Sequence, residues 1–328
     1  MLAPDTLVEK MNSVFSLKAV LTGTRLKIFD PIRNAHKTAA EVASDLGLDK
    51  RSVEIILKVA ASMDLLSVKD GIYGDLSPAI DSSHAQNVNS MLEHIDNLWG
   101  QLGDLPEIVK TGKSHLPTGH FFSSPEENRS FIRAMHSTAL HNAPILAKNF
   151  PKLERKAKFL DIGAGPGTYS ALLCTEQANV EATLFDMEST LKTTKEIIEE
   201  FYPDVANRIH LFGGDFYKDL FPENFDGALI SHIVHSHSYE ENLMLLKKAY
   251  QALRPGGVLW IHDFIPDETG TTPPFPAAFA VRMLVTTRGG NSYTHKELET
   301  WCKEVGFQSA VWKNLGQPRG LSIIEARK

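Results

Sequence analysis

Lys158-Phe159-Leu160-Asp161-Ile162-Gly163-Ala164-Gly165-Pro166-Gly167-Thr168 decides how the rest of this chain is read. Lys158 to Ile162 has the character of a short buried strand, glycines follow at alternate positions, and a helix-like run extends from Thr168 to Leu173. Strand, tight glycine turn and helix in succession can cradle a ligand. Glycine admits positive φ and close approach, and the helix N-terminus presents unpaired N–H groups. A plain strand-to-helix turn can use glycines too, so the motif needs its context.

That context lies downstream. Strand patterns recur at Glu181 to Phe185, Arg208 to Phe212, Gly227 to Ser231 and Gly257 to His262, with helical patterns after the first, second and fourth strands. The alternation predicts an α/β fold: a doubly wound, mostly parallel sheet covered on both faces. Ser238-Tyr239-Glu240-Glu241 is a capping box that opens a helix stopped by Pro255-Gly256-Gly257, and Thr294 to Glu297 caps another. Ser309 to Trp312 and Leu321 to Glu325 suit a closing strand pair.

Upstream, Thr38-Ala39-Ala40-Glu41 is a further capping box, and the next helix carries Val53, Ile56, Leu57, Ala60 and Met63 on one face. Leu65 to Tyr73 reads as a hairpin turned by Asp70-Gly71. Helix, helix, hairpin is the winged-helix pattern, which can read DNA. Residues 1–80 hold seven Lys and three Arg against seven Asp and three Glu, a balance of zero, so the basic footprint of a DNA reader is missing. From about 85 to 150 the chain reads as helical. Met91, Ile95, Leu98 and Trp99 form one stripe, and Phe131, Met135, Thr138 and Ala139 form another, with Pro117 to His120 as the connection. Met135 and His136, on the helix that feeds the glycine-rich strand, are candidates for a pocket wall.

Composition narrows the class. A chain of 328 residues with net charge −6 has the length for two domains and no sign of a polyanion-binding surface, so a small-molecule partner is expected and a nucleic acid is not. Cys174 and Cys302 belong to no C-x-x-C pair, and no stretch reaches membrane-spanning length, which points to a soluble, cytoplasmic protein.

In a doubly wound sheet, ligands sit at the carboxyl ends of the strands. Those ends here carry Asp161 and the glycines, Asp186, Gly213-Gly214-Asp215-Phe216, Ser231 to His237, and Asp263. Asp186 follows Gly167 by nineteen residues, where an acidic side chain can accept hydrogen bonds from ribose hydroxyls. Asp215 and Phe216 can bond and pack against an adenine.

With these residues the chain resembles class I S-adenosylmethionine-dependent methyltransferases of the small-molecule O-methyltransferase type, which carry an N-terminal winged-helix dimerisation domain. The matching residues are Asp161 to Gly167, Asp186, Gly213 to Phe216, Leu253-Arg254-Pro255-Gly256-Gly257, and Gly289-Gly290 before Tyr293-Thr294. The resemblance implies a dimerisation domain over 1–100, a helical connector over 101–156 that contributes to the substrate pocket, a cofactor domain over 157–328, and a homodimer. It implies that Asp161, Gly163, Gly165 and Gly167 hold the methionine part of S-adenosylmethionine, Asp186 the ribose, and Asp215 and Phe216 the adenine, with Ser231 at the same strand end where plant members have a lysine. It also implies that His235 is the base that takes a proton from the hydroxyl of a small aromatic acceptor. A neutral imidazole suits this near neutral pH.

Departures from the plant members raise a question about that base. Ser236-His237 replaces Asp-Trp, and Asn291 with Ser292 stands where a glutamate is found, so the carboxylate that would orient His235 is not assured, although Asp263 could supply it. Methyl transfer needs alignment rather than a metal, and His232, His235 and His237 are expected to splay apart without a carboxylate beside them. Phe279 and Met283 are candidates for the acceptor pocket, on a helix expected from Ala277 to Thr287 after Pro273, Pro274 and Pro276 end an extended segment. Two rivals stand beside O-methylation: carbon methylation of a similar ring system, and a non-enzymatic winged-helix regulator that senses a ligand.

Overall fold

A computed structural model describes residues 3–83, 88–114, 124–153 and 156–328; the connection expected at Pro117 to His120 lies outside the described residues. The chain divides into two compact units, Met1–Gly103 and Asp104–Lys328. The first contains α1 (Pro4–Arg25), β1 (Lys37–Thr38), α2 (Ala39–Leu46), α3 (Lys50–Ser62), β2 (Ser67–Lys69), β3 (Ile72–Gly74) and α4 (Asn89–Leu98). The Asp70-Gly71 turn joins β2 to β3 as expected. β1, which the sequence reading did not anticipate, pairs with β3 to complete a sheet of order β1-β3-β2. Val42 of α2, Val53, Leu57 and Ala60 of α3, and Val20 and Leu21 of α1 share one core. Met63 falls off the α3 stripe and is exposed, because the helix has ended before it.

The second unit runs α5 (Leu105–Thr111), α6 (Pro125–Asn149), β4 (Ala157–Ile162), α7 (Thr168–Glu176), β5 (Val180–Asp186), α8 (Glu188–Phe201), β6 (Ile209–Gly213), β7 (Phe225–Ser231), α9 (Tyr239–Ala252), β8 (Leu253–Phe264), α10 (Pro274–Thr286), α11 (His295–Glu304), β9 (Ser309–Lys313) and β10 (Leu321–Arg327). Its strands form one sheet of order β6-β5-β4-β7-β8-β10-β9, parallel from β6 to β8 and antiparallel at β10 and β9. Successive strand residues face opposite sides. Phe159, Leu229, Trp260 and Ile323 therefore enter the core under α6, α7 and α8, while Leu160, Ile230, Ile261 and Ile324 enter the core under α9 and α11. Both capping boxes of this unit are present, at Ser238–Glu241 and Thr294–Glu297. A cap of this kind contributes about 1 kcal/mol.

One helix boundary differs from expectation. α10 begins at Pro274, three residues before the expected start, because proline in a first turn forfeits only an N–H that has no helical partner. α6 belongs to the second unit, where it packs on α7 and α8.

Candidate active site

The carboxyl ends of β4, β5, β6, β7 and β8 meet on one rim of the sheet. At β4, Gly163, Gly165 and Gly167 all have positive φ, between 51° and 72°. Their neighbours separate their tasks. A Cβ on Gly163 would lie 2.6 Å from Ile233 Cδ1, and one on Gly167 would lie 2.5 Å from Leu184 Cδ2, so these two are demanded by packing as well as by backbone. A Cβ on Gly165 would meet nothing within 4 Å. The middle of the turn is therefore an open cradle.

Asp186 closes one side of it. Its Oδ2 accepts from Gly165 N at 2.8 Å and its Oδ1 from Met187 N at 2.7 Å. Burial raises the Asp186 pKa, opposed by these N–H groups, and the carboxylate is anchored on the loop itself. Glu188, not singled out from the sequence, lies across Gly213 at the end of β6, where a Cβ would strike its carboxylate. Asp161 lies deeper than its place in the motif implies: it is 2% exposed, accepts from Ser170 Oγ at 2.6 Å, and is pushed up to about 7 by burial. Asp161 thus ties β4 to α7 beneath the loop. Beyond β6, Asp215 accepts from Tyr217 N at 2.9 Å and pairs with Lys218 at 2.9 Å, and half-buried Phe216 meets His237 edge to face at 5.2 Å. An open loop cradle with one anchored carboxylate beside it and a carboxylate–aromatic pair beyond fits a nucleoside with a charged tail.

At β7 and β8 the register pairs Ser231 with His262, which places Asp263 beside the turn that follows Ser231. Ser231 Oγ is hydrogen-bonded to His262 Nδ1 at 2.8 Å. His235 donates from Nδ1 to Asp263 Oδ1 at 2.8 Å, and its backbone N–H approaches Oδ2 at 3.4 Å. Burial pushes Asp263 up, but its hydrogen bond with His235, the neighbouring imidazoles of His235 and His232, and the Phe264 N–H outweigh it and hold the carboxyl at about 2. The orienting carboxylate is therefore Asp263. Asn291 has no part in it: its backbone N–H donates to His235 O at 2.9 Å and its side chain caps Ser292 N.

The expected splay of the three histidines is corrected here. His232 takes a left-handed φ of 56°, which turns it back so that its Nδ1 lies 3.9 Å from Asp263 Oδ1 and its Nε2 3.3 Å from Tyr169 OH. His232, His235 and Asp263 form a cluster whose ligand atoms lie within 4.8 Å of one another. Burial lowers His232 to about 4, so it is neutral at physiological pH. Only His237 turns away, bonded through Nδ1 to Ile233 O at 2.8 Å. Tyr169 was not read from the sequence. Its one available signal was its place in the first turn of α7, which faces the strand ends.

Phe279 reaches this centre, its ring edge to face with His235 at 4.9 Å, and Met283 lies buried one turn further along α10. His136 is 5% exposed, is bonded to Thr168 Oγ1 at 2.7 Å and packs on Phe201 at 4.7 Å, so its ring joins α6 to α7 and α8. Met135 is half-buried in the same helix.

Gly290 acquires a definite task. A Cβ there would lie 2.3 Å from His235 O, a backbone atom that cannot swing aside. Gly290→Ala is expected to cost about 1–3 kcal/mol of stability, seen as a lower Tm, and to lower kcat with it by shifting the His235 turn. Unchanged Tm and kcat would mean that the turn yields without consequence.

Residues 118–308 match the O-methyltransferase domain family, and residues 8–78 match the O-methyltransferase dimerisation domain. The chain is 24% identical to 3-hydroxy-5-methyl-1-naphthoate 3-O-methyltransferase of Streptomyces sahachiroi, over 99% of this chain and 95% of that one. It is also 24% identical to L-tyrosine C(3)-methyltransferase of Streptomyces lavendulae, over 89% and 84%. Among solved structures, human N-acetylserotonin methyltransferase in complex with SAM shares the fold, with a TM-score of 0.84 at 21% identity over 99% and 97% of the two chains. With both domains matched in order along the sequence, the chain belongs to the O-methyltransferase family and is an S-adenosylmethionine-dependent methyltransferase.

Proposed function

We propose that the enzyme methylates the hydroxyl of a small aromatic acceptor, with His235 as the base. The observation that carries this is the His235–Asp263 pair. Donation from Nδ1 to a carboxylate held ionised fixes the tautomer in which Nε2 bears the lone pair, ready to take the proton of a phenol. Phe279 beside His235 supplies an apolar wall for a flat ring. Bound S-adenosylmethionine supplies a sulfonium methyl group whose departure leaves a neutral thioether. The glycine turn with Asp186 would hold its charged and ribose portions, and Asp215 and Phe216 its adenine. Asp161 and Ser231 act behind them, on Ser170 and His262.

Carbon methylation is the second reading, favoured by the tyrosine C(3)-methyltransferase among the relatives. Deprotonating a phenol enriches the ortho carbon as well as the oxygen, so the same base serves both, and the placement of the ring decides. Incubating the enzyme with S-adenosylmethionine and a panel of phenols and quinols, then analysing products by mass spectrometry and NMR, tests both. S-adenosylhomocysteine with an aryl methyl ether supports the proposal, and a ring-methylated product replaces it with the second reading.

The enzyme works as a homodimer through its N-terminal unit. Leu7, Val8, Met11, Val14 and Phe15 make an exposed apolar stripe along α1, with Phe15 75% exposed, within the matched dimerisation domain. Phe15→Glu is expected to shift the protein toward monomer in sedimentation velocity, and an unchanged dimer would place the interface elsewhere. No helix of the described residues is long and apolar enough to cross a membrane, and two buried free thiols, Cys174 and Cys302, are compatible with the cytoplasm.

A further inference from the structure

His232, His235 and Asp263 converge on one point. Asp263 Oδ1 lies 2.8 Å from His235 Nδ1 and 3.9 Å from His232 Nδ1, and one ligand atom of each residue lies within 4.8 Å of the other two. Two imidazole nitrogens and a carboxylate oxygen are a donor set that suits a zinc-type ion. Bonds of about 2.0–2.1 Å in a tetrahedron set the ligand atoms about 3.3 Å apart. The distances of 2.8 and 3.9 Å at Oδ1 lie on either side of that spacing. No group has to be vacated for the ion. What lies between His235 Nδ1 and Asp263 Oδ1 is the proton they share, and an ion takes its place.

Neighbouring groups hold these atoms as the outer partners of a metal site do. Phe264 N–H donates to the same Asp263 Oδ1 at 2.8 Å, and His232 Nε2 lies 3.3 Å from Tyr169 OH. A hydrogen bond at Nε2 directs the ring and leaves Nδ1 for a metal. The His232 and His235 side chains are 27% and 13% exposed, so an ion can reach them from solvent.

We propose that His232, His235 and Asp263 are the protein ligands of a zinc-type divalent cation, with water in the fourth position, and that the bound ion silences the enzyme. The binding half stands on the cluster alone, and the silencing half rests on the reading of His235 as the base. In that reading Nδ1 carries the proton and Nε2 the lone pair. A metal on Nδ1 reverses them. The Nδ1 lone pair forms the metal bond, the proton moves to Nε2 through solvent, and the imidazole stays neutral with no proton gained or lost. An Nε2–H has no lone pair with which to take the proton of a phenol. Asp263 exchanges a hydrogen bond for a metal–oxygen bond and no longer steadies an imidazolium.

The test begins with the metal alone. Full-length protein freed of metal by chelation is titrated with Co²⁺, whose visible absorption is intense only in a tetrahedral site, and then with Zn²⁺ to displace it. One equivalent of tetrahedral Co²⁺ is expected. Loss of an outer partner alone costs about 10- to 100-fold in metal affinity, so Tyr169→Phe, which leaves all three ligands in place, should weaken Zn²⁺ binding about tenfold. His232→Asn accepts the left-handed backbone but offers no imidazole, and should weaken it about 10²-fold or more. Absence of tetrahedral bands, or an affinity that survives His232→Asn, overturns the site; if that variant fails to fold, an affinity unchanged in Tyr169→Phe does so. Methyl transfer to an acceptor from the phenol panel is read separately, with and without Zn²⁺. Activity that falls as the site fills and returns with chelator supports the silencing. Activity unchanged or raised with the site filled sinks the silencing and the base assignment with it, whereas a site that takes no metal sinks this inference and leaves the base assignment untouched.

Discussion

His235→Ala is expected to lower turnover about 10²-fold or more, with S-adenosylmethionine binding largely kept. In the proposed mechanism the imidazole acts on the acceptor's proton and the residues proposed for the cofactor lie on other strand ends, so the loss belongs in kcat rather than in cofactor affinity. Asp263→Asn should produce a comparable loss by another route. The carboxylate is 2% exposed and accepts from His235 Nδ1 and from Phe264 N, both at 2.8 Å. An amide there can offer an N–H to the imidazole instead, which selects the tautomer that cannot accept at Nε2. The pH profile separates this from a purely structural effect. Because a phenol ionises by itself near a pKa of about 10, the His235→Ala rate should climb as pH approaches that value. Wild-type activity in His235→Ala at neutral pH would sink the base assignment and leave alignment alone as the source of rate.

Asp186→Ala is expected to weaken S-adenosylmethionine binding by roughly 1.5 to 3 kcal/mol, or about ten- to 150-fold in Kd. Two effects combine. The carboxylate proposed to meet the ribose is removed, and Gly165 N and Met187 N lose their acceptor, which loosens the cradle itself. Asp186→Asn separates them, since an amide oxygen can still accept from Gly165 N. A variant that keeps the loop rigid by hydrogen exchange but still binds weakly would locate the loss in the ligand contact. An unchanged Kd in Asp186→Ala by titration calorimetry would remove Asp186 from the cofactor site.

Much of the fold was legible because its signals are local. A capping box such as Thr294–Glu297 closes within one helical turn, and strand alternation such as Phe159 and Leu160 assigns faces residue by residue. The glycine turn announced itself in the same way, through backbone conformations that few other residues adopt. Local rules also explain the misreading at α10, where first-turn prolines looked like a stop although they are compatible with a start. The pairing of β1 with β3 went unseen because two residues carry no periodicity.

The site divides along the same line. Sequence by itself determined the alternation of strands and helices beyond residue 157, the glycine loop and the candidacy of Asp186, because each is a property of a residue and its near neighbours, while the family resemblance added the candidacy of His235. Only the tertiary structure decided that Asp263 is bonded to His235, that His232 and Tyr169 join the cluster, that Asp161 and His136 are buried against Ser170 and Thr168, and that Phe279 lies against His235. These contacts depend on the register that sets Ser231 against His262 and on where α10 is laid against β8. Register and helix placement are settled by the whole core at once, and no short stretch of chain records them.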